Sequence, residues 1–316
     1  MRSVTFRQLR VFTEVAKQLS FSRAAEALHL SPPAVTMQVK ELESHVGLPL
    51  FERQGRQISL TMAGEYFLVY AKRLLSTLKD ADNVMARFKR VETGVLTIGL
   101  ISTAGYFLPS LLARFQAEHP GIDVRLDVTG DMTELLARLH NNEVDLAVMG
   151  RPPKEYALRA EPFAGHPMVF VCPSGHPLLG VGHPPLNALL LHPLIAREHG
   201  SEVRHVLDGY LRDRRLAPRI VMEIASNEAV KASVMAGLGI SFLSLHAVAA
   251  EVRSGLLHIV DFEDTPVMRT WNIVREVSKV LSPAAEAFRY FVMEQAEALL
   301  AGVDGALLSG QSNQRR

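Results

Sequence analysis

Four short runs in the C-terminal part of the sequence carry groups suited to holding an anion. They are Ser102-Thr103, Thr129-Gly130-Asp131, Arg197-Glu198-His199-Gly200-Ser201 with Arg204, and Ser226-Asn227. Each offers hydroxyls or free amides, and Arg197 and Arg204 add positive charge, so a small anionic metabolite is the natural guest. Ser102, Ser201 and Ser226 are equally good helix caps, and Arg204 also reads as a solvated helix residue, so plain capping stands as the competing account. A second group lies near the N-terminus. Pro33, Thr36, Met37 and Lys40 share one helical face, and Arg53 and Arg56 flank Gly55. A helix face set against base edges, with two arginines reaching phosphate or the minor groove, is the chemistry these suit.

Other chemistry finds few residues. His119, His166, His176, His183 and His192 each precede proline, which favours extended or turn backbone, so all five read as loop positions. No Cys or His pair has zinc spacing, so His166, His176 and His183 are not expected to hold a metal. Cys172 is the single cysteine. It cannot form an internal disulfide, fits a reducing compartment, and sits among apolar residues as a structural thiol rather than a nucleophile. Gly237-x-Gly239 follows a helix and is too short for a dinucleotide fingerprint; a helix end and turn explain it. No Walker-type loop exists. No enzyme activity, cofactor or metal is therefore expected.

The elements that must position these residues follow from periodicity. Leu9, Phe12, Val15, Ala16 and Leu19 recur at helical spacing. A short second helix starts at Ser22 as its N-cap and carries the small residues Ala24 and Ala25, which permit a close crossing. Ser31 caps a third helix, with Pro32 in its first turn, Val35, Val39 and Leu42 facing inward, and Gly47 closing it after Val46. Short helix, tight turn and longer helix make a helix-turn-helix, and Leu50 to Leu60 forms a wing of two short strands. Thr61 caps a long helix to about Val91. Phe67, Ala71, Leu74, Leu78, Ala81, Met85 and Phe88 alternate steps of four and three, the spacing of a coiled-coil seam; a helix packed on its own domain is the alternative.

From Gly94 strands and helices alternate. Strands are expected at Val95–Ile101, Val124–Val128 and Val144–Met149, with helices at Ala104–Glu118 and Met132–Asn141, giving a parallel sheet. Further strands fall near Met168–Cys172, Leu194–Ala196, Ile220–Ile224, Ile240–Leu243, Leu256–Val260 and Thr270–Val274. Helices fall near Ser201–Arg214 and Asn227–Ala236, and from Ser282-Pro283 to about Leu300. The four anion-binding runs each follow one of these strands, where ligands of such sheets sit beside helix N-termini.

Composition sets the remaining bounds. Hydrophobic residues make 48% and charged residues 21% of 316, which describes a globular chain of two or three domains. The net charge of +1 hides an asymmetry: residues 1–93 hold 14 Lys and Arg against 9 Asp and Glu, and the remainder 20 against 24. A basic N-terminal piece suggests a polyanionic partner there. Met1 to Arg10 has no apolar core of a secretion signal, and Ala232 to Ala250 reads as helix, turn and buried strand rather than a membrane span, so a cytoplasmic protein is expected.

Three runs carry a family resemblance. Phe6-Arg7-Gln8-Leu9-Arg10-Val11-Phe12, Ser20-Phe21-Ser22-Arg23-Ala24-Ala25-Glu26-Ala27-Leu28 and Ser31-x-x-Ala34-Val35-Thr36-x-Gln38-Val39-x-x-Leu42-Glu43 resemble the LysR-type transcriptional regulators. Gly47-Leu48-Pro49-Leu50-Phe51-Glu52-Arg53 and Leu60-Thr61-x-Ala63-Gly64 continue the match. The family often has glutamine where Pro32 stands and a basic residue where Met37 stands. Gly150-Arg151-Pro152-Pro153, Ala160-Glu161-Pro162-Phe163 and Cys172-Pro173-Ser174-Gly175-His176-Pro177-Leu178 look like the subgroup controlling carbon-dioxide-fixation operons.

The resemblance implies a multidomain architecture: a winged helix-turn-helix over residues 1–60, a coiled-coil dimerisation helix over 61–91, and a two-lobed α/β effector domain resembling periplasmic binding proteins over 92–303. The lobes would be 92–163 with 267–303, and 164–266, with 304–316 a disordered tail. It implies an activator bound to double-stranded DNA as a homodimer or homotetramer, with RNA polymerase a further partner to consider. The DNA contacts would be Ser22, Arg23, Ser31, Pro32, Pro33, Thr36, Met37, Gln38, Lys40, Arg53 and Arg56. Ser102, Thr103, Gly130, Asp131, Arg197, Glu198, Gly200, Ser201, Arg204 and Asn227 would hold an effector, a phosphorylated metabolite or NADPH in the subgroup's case, with Arg197 and Arg204 clamping its phosphate. Another metabolic operon, with a carboxylate or other anion as effector, is the alternative. A solute-binding protein, an enzyme with a nucleic-acid-binding appendage and an architectural DNA protein are the rivals; they lack respectively a secretion signal, a catalytic constellation and a need for two lobes.

Overall fold

The computed structural model describes residues 4–54, 57–86, 93–153 and 155–313. The chain divides into two compact units, Met1–Phe88 and Lys89–Arg316.

In the N-terminal unit α1 (Phe6–Gln18), α2 (Phe21–Ala27) and α3 (Pro32–Val46) precede a hairpin of β1 (Phe51–Gln54) and β2 (Gln57–Leu60), and α4 (Met62–Ala86) follows. Thr5 and Gln8 form a reciprocal capping box that starts α1. The cap of α2 is Ser20, whose hydroxyl accepts the Arg23 amide at 3.3 Å, and not Ser22, which lies inside the helix. Phe21 can enter the helix because Ser20 satisfies the first-turn amide. Ser31 caps α3 as expected, and Gly47 ends it at φ +82°, a backbone region that costs glycine nothing.

Two small cores hold this unit. Val11, Val15, Ala24, Ala25, Val35 and Val39 lock α1, α2 and α3 together. Leu9, Phe12, Leu42, Leu50 and Ala71 join α1 and α3 to α4. Phe12 is fully buried, with ring centroids of Phe51 and Phe67 each 5.3 Å away, a burial of roughly 2–3 kcal/mol. Gly64 lets α4 approach: a Cβ there would stand 2.0 Å from the Leu50 carbonyl oxygen. The expected seam of α4 needs correction. Phe67 and Ala71 pack into their own unit's core, because the helix uses that face to close over α1. The exposed stripe is Met62, Tyr66, Tyr70 and Leu74, with Leu74 half exposed. The seam's Phe88 lies outside the described residues.

The C-terminal unit is built on a nine-stranded sheet in the order β4-β3-β5-β11-β6-β9-β7-β8, with β10 paired to β6. The strands are β3 (Gly94–Ile101), β4 (Ile122–Thr129), β5 (Leu146–Met149), β6 (Leu158–Pro173), β7 (Leu194–Arg197), β8 (Ile220–Ile224), β9 (Ile240–Ser244), β10 (Leu257–Val260) and β11 (Val267–Glu276). The helices are α5 (Leu108–Glu118), α6 (Met132–His140), α7 (Glu202–Asp213), α8 (Asn227–Met235), α9 (Leu245–Arg253) and α10 (Pro283–Asn313). The sheet is mixed rather than parallel. β3, β4 and β5 run parallel, as do β7, β8 and β9, but β6 and β11 form a long antiparallel ribbon between the two sets.

That ribbon separates two cores. One gathers Leu96 to Ala164 with Trp271 to Leu300, the other Met168 to Phe262 with Leu307. β6 is three times the length expected from its apolar stretch, since residues 158–167 pair along β11. A 3₁₀ turn at Ser102–Tyr106 precedes α5, and α9 lies where a buried strand and turn were expected to end the 232–250 stretch. The last helix runs past Leu300 to Asn313, so residues 304–313 are helical rather than a tail; Leu307 is buried against the second core. Residues 314–316 lie outside the described residues.

His166 is also not a loop residue. It lies within β6, 1% exposed, with its ring stacked 3.9 Å from Trp271. The extended backbone that Pro167 demands is strand backbone here. Burial, then the nearby His246 and Arg269, holds its pKa well below the usual imidazole value.

Candidate functional site

Two separate regions gather the candidate residues, one in each unit. In the N-terminal unit α3 presents Ser31, Pro32, Pro33, Met37 and Lys40 to solvent, with Met37 53% exposed. Thr36 is half-buried and its hydroxyl donates to the Pro32 carbonyl at 2.9 Å. Gln38 sits round the helix from this face: its amide donates to Glu41 at 3.2 Å, and Glu41 also receives Gln8 of α1. Ser22 and Arg23 are exposed on α2, and the Arg23 guanidinium donates to the Gln18 carbonyl at 2.5 Å.

The pose of α3 is fixed from behind. Glu43 accepts the amides of Leu50 and Phe51 at 2.8 and 3.2 Å, so the start of the hairpin is tied to the helix. Arg53 lies in β1, and Arg56, at the hairpin tip, lies outside the described residues. An exposed helix face with one lysine, braced by a hairpin, has the shape and polarity to enter a major groove.

In the C-terminal unit the four strand-end runs converge. β4 ends at Thr129-Gly130 and Asp131 caps α6, accepting the Thr133 and Glu134 amides at 2.6 and 3.4 Å. β7 ends at Arg197 and Ser201 caps α7, accepting the Arg204 amide at 3.2 Å. These two turns face each other across the lobes. A Cβ on Gly130 would stand 3.4 Å from a Glu198 carboxylate oxygen, and one on Gly200 would stand 3.5 Å from Asp131. The 3₁₀ turn carrying Ser102 and Thr103 reaches α8 through Tyr106, whose hydroxyl donates to Glu228 at 2.7 Å.

Arg197 is the hub. It is 2% exposed and donates to Glu198 at 2.7 and 2.8 Å, to the Ala225 carbonyl at 3.2 Å, and to the Asn227 side-chain oxygen. That last bond fixes the amide, and the buried Asn227 Nδ2 is left to the Tyr106 hydroxyl.

Arg204, expected to clamp a phosphate with Arg197, is bonded within its own lobe. Its guanidinium donates to Asp208 at 2.8 Å, Glu223 at 2.9 Å and the Arg197 carbonyl at 3.1 Å, so its charge is matched. It holds the β7–α7 turn in place, and its hydrogen bond keeps Glu223 below the usual carboxylate value.

Sequence reasoning missed Glu202. It is 8% exposed at the start of α7, yet its carboxylate accepts the Gly150 amide from the other lobe at 3.2 Å. Burial raises its pKa to about 7, against the lowering effects of that hydrogen bond and of Arg269. The available signal was Gly150 directly after a strand, because nothing larger leaves room there. Cys172 is buried and its thiol is pushed up to about 12 by burial, which suits packing rather than reactivity. Among the described residues no three His, Cys, Asp or Glu side chains form a metal-holding group, and no helix is long and apolar enough to cross a membrane.

Both units match known protein families. Residues 6–65 match the family described as bacterial regulatory helix-turn-helix protein, lysR family, and residues 89–297 match the LysR substrate binding domain. The chain is 45% identical over 311 residues to the HTH-type transcriptional regulator CfxR of Cupriavidus necator, covering 98% of each chain. It is 43% identical to the RuBisCO operon transcriptional regulator of Allochromatium vinosum, covering 93% of this chain and 97% of the relative. The regulatory domain of Synechocystis CcmR, solved in complex with 2-PG, is 35% identical with a TM-score of 0.61, over 64% of this chain and 97% of that one.

Proposed function

The chain belongs to the LysR family of bacterial transcriptional regulators, and from that premise we propose that it controls carbon-fixation genes in response to a small phosphorylated anion. α3 reads operator bases through Pro33, Thr36 and Met37, and Lys40, Ser22, Arg23, Ser31 and the hairpin arginines position it on phosphates. A second copy joins through the exposed stripe of α4. Two such heads address half-sites about one helical turn, roughly 34 Å, apart. Dimers pair into tetramers, and the protein works in the cytoplasm, where it meets DNA and RNA polymerase.

The observation that carries the effector reading is the convergence of the four strand-end runs, with the buried Arg197 joining two of them through Glu198, Ala225 and Asn227. The similarity to a regulatory domain solved with 2-PG supports 2-phosphoglycolate as the first compound to try. The anion draws the turns at Ser102-Thr103, Gly130 and Glu198–Ser201 onto itself, and the lobes change their angle. Subunit arrangement follows, and with it the spacing of the DNA heads.

Footprinting on the DNA beside the protein's own gene tests this, with 2-phosphoglycolate, sugar phosphates, phosphoenolpyruvate and NADPH added in turn. The footprint is expected to change extent with at least one of them. A footprint that none of them alters removes the phosphorylated effector and leaves the DNA reading standing.

A further inference from the structure

Glu202 is an acid buried among turns suited to an anion. β4, β3 and β5 run parallel side by side, with Thr129 opposite Ile101 and Leu100 opposite Val148, so Gly130, Ser102 and Gly150 lie at the ends of three adjacent strands. Glu202 opens α7 on the other lobe and reaches this row, where its Oε2 accepts the Gly150 amide at 3.2 Å. It directly follows Ser201, the cap of α7, and Gly200 of the same turn lies against Asp131. Its Oε1 has no hydrogen bond among the described residues. We propose that Glu202 is an effector-binding residue that works as a hydrogen-bond donor: its carboxyl takes up one proton from solvent as the anion binds and presents that proton to it. The inference rests on the effector reading given above.

The surrounding charges do not hold Glu202 ionised. Arg269 on β11 acts on it, but that arginine is exposed, and solvent weakens its pull. Arg151, beside Gly150, is exposed too. On Glu202's own turn Glu198 is held by Arg197 at 2.7 and 2.8 Å, and the facing turn adds a further acid, Asp131. Along α7, Arg204 is matched by Asp208 and Glu223. His199 is exposed, 3.2 Å from Arg204 and 3.5 Å from Glu223, and His205 is exposed one turn along α7. Burial outweighs the Gly150 amide and Arg269 and pushes the Glu202 carboxyl up to about 7.

An anion seated on these turns meets that carboxyl at close range. Two like charges in one small, poorly hydrated volume do not both persist, so one group binds a proton. Protonation removes the repulsion and leaves one carboxyl oxygen accepting from Gly150 while the other gains an O–H to donate. The proton is already present below about 7 and must be taken up above it. Affinity for the anion is therefore full below that value and falls as pH rises through it, by about fivefold from pH 7 to pH 8.

The test is calorimetry of 2-phosphoglycolate binding to the full chain at pH 8, in HEPES and in Tris, whose different ionisation enthalpies reveal protons taken from the buffer. Where 2-phosphoglycolate does not bind, the other phosphorylated compounds of the footprint take its place. Wild type should take up about 0.9 of a proton more than Glu202→Gln, the fraction of a carboxyl at about 7 that is ionised at this pH. His199→Gln should keep the wild-type uptake, and Glu202→Gln should bind with an affinity that no longer falls from pH 7 to pH 8. Equal uptake in wild type and Glu202→Gln shows that the ligand or another group takes the proton, and overturns the proposal. Loss of the uptake in His199→Gln overturns it as well, as does wild-type affinity that holds constant from pH 7 to pH 8. These results leave the effector reading standing. A chain that binds none of the phosphorylated compounds loses the effector reading, and the inference falls with it.

Discussion

Glu202 and Gly150 occupy one small volume between the lobes: the carboxylate accepts the Gly150 amide at 3.2 Å, and its Oε1 lies 1.3 Å from where a Cβ on residue 150 would stand. The carboxylate is buried on one lobe and bonded to the backbone of the other, so the lobe angle and its protonation are linked.

That linkage has a sign. A carboxyl raised from 4.5 to about 7 on folding is protonated in the folded chain and ionised in the unfolded one between those values. The unfolded state then binds fewer protons, and stability falls as pH rises through that window. Glu202→Gln removes the slope while keeping an acceptor for Gly150. The variant should gain about 3 kcal/mol on wild type between pH 4.5 and 7, the size set by a shift from 4.5 to about 7. Unfolding of the C-terminal unit followed across pH checks it; a difference that does not vary with pH refutes it.

Asn227→Ala removes the acceptor that orients Arg197. Affinity for 2-phosphoglycolate, measured by calorimetry, should fall about tenfold or more, with operator affinity in its absence unchanged. Arg204→Ala should act differently. It should lower stability by about 1–3 kcal/mol through the loss of contacts to Asp208, Glu223 and Arg197. Its effect on effector affinity should be smaller than that of Asn227→Ala.

Lys40→Ala should weaken binding to specific and unrelated duplexes alike and reduce the log–log salt slope by about 1, as the loss of one phosphate contact does. Thr36→Ala and Met37→Ala should instead change base preference with little effect on the salt slope. Anisotropy titrations at several salt concentrations separate the two behaviours.

The stripe on α4 distinguishes folding from assembly. Tyr66→Glu with Tyr70→Glu places charges on an exposed face and should shift sedimentation towards smaller assemblies without loss of helix content. Phe67→Ala empties a core position and should cost about 3 kcal/mol of stability. Unchanged sedimentation in the double variant would remove α4 as the dimer contact.

Much of this architecture was legible because local signals and packing agree. Ser31, Pro32 and Gly47 bound α3 by capping chemistry alone, and the strands after Gly94 announce themselves by apolar runs. The errors fall where tertiary contact overrides a local pattern. Phe67 and Ala71 fit a coiled-coil period but are consumed by the unit's own core. Leu158 to Pro162 is strand only because β11 lies beside it. His166 precedes proline like the loop histidines, yet a sheet supplies the same extended backbone. The nearness of the four strand ends follows from the order of strands and helices, but spacing alone does not reveal that Glu223 already holds Arg204, or that Glu202 crosses to Gly150. Those contacts join residues far apart in sequence.

The most direct measurement is the affinity of the full chain for a fluorescent duplex taken from beside its own gene, set against a scrambled duplex, over a range of salt. The account predicts preference for the natural sequence by about a thousandfold or more at physiological salt, with affinity falling steeply as salt rises. Equal affinity for the two duplexes at every salt concentration would contradict it.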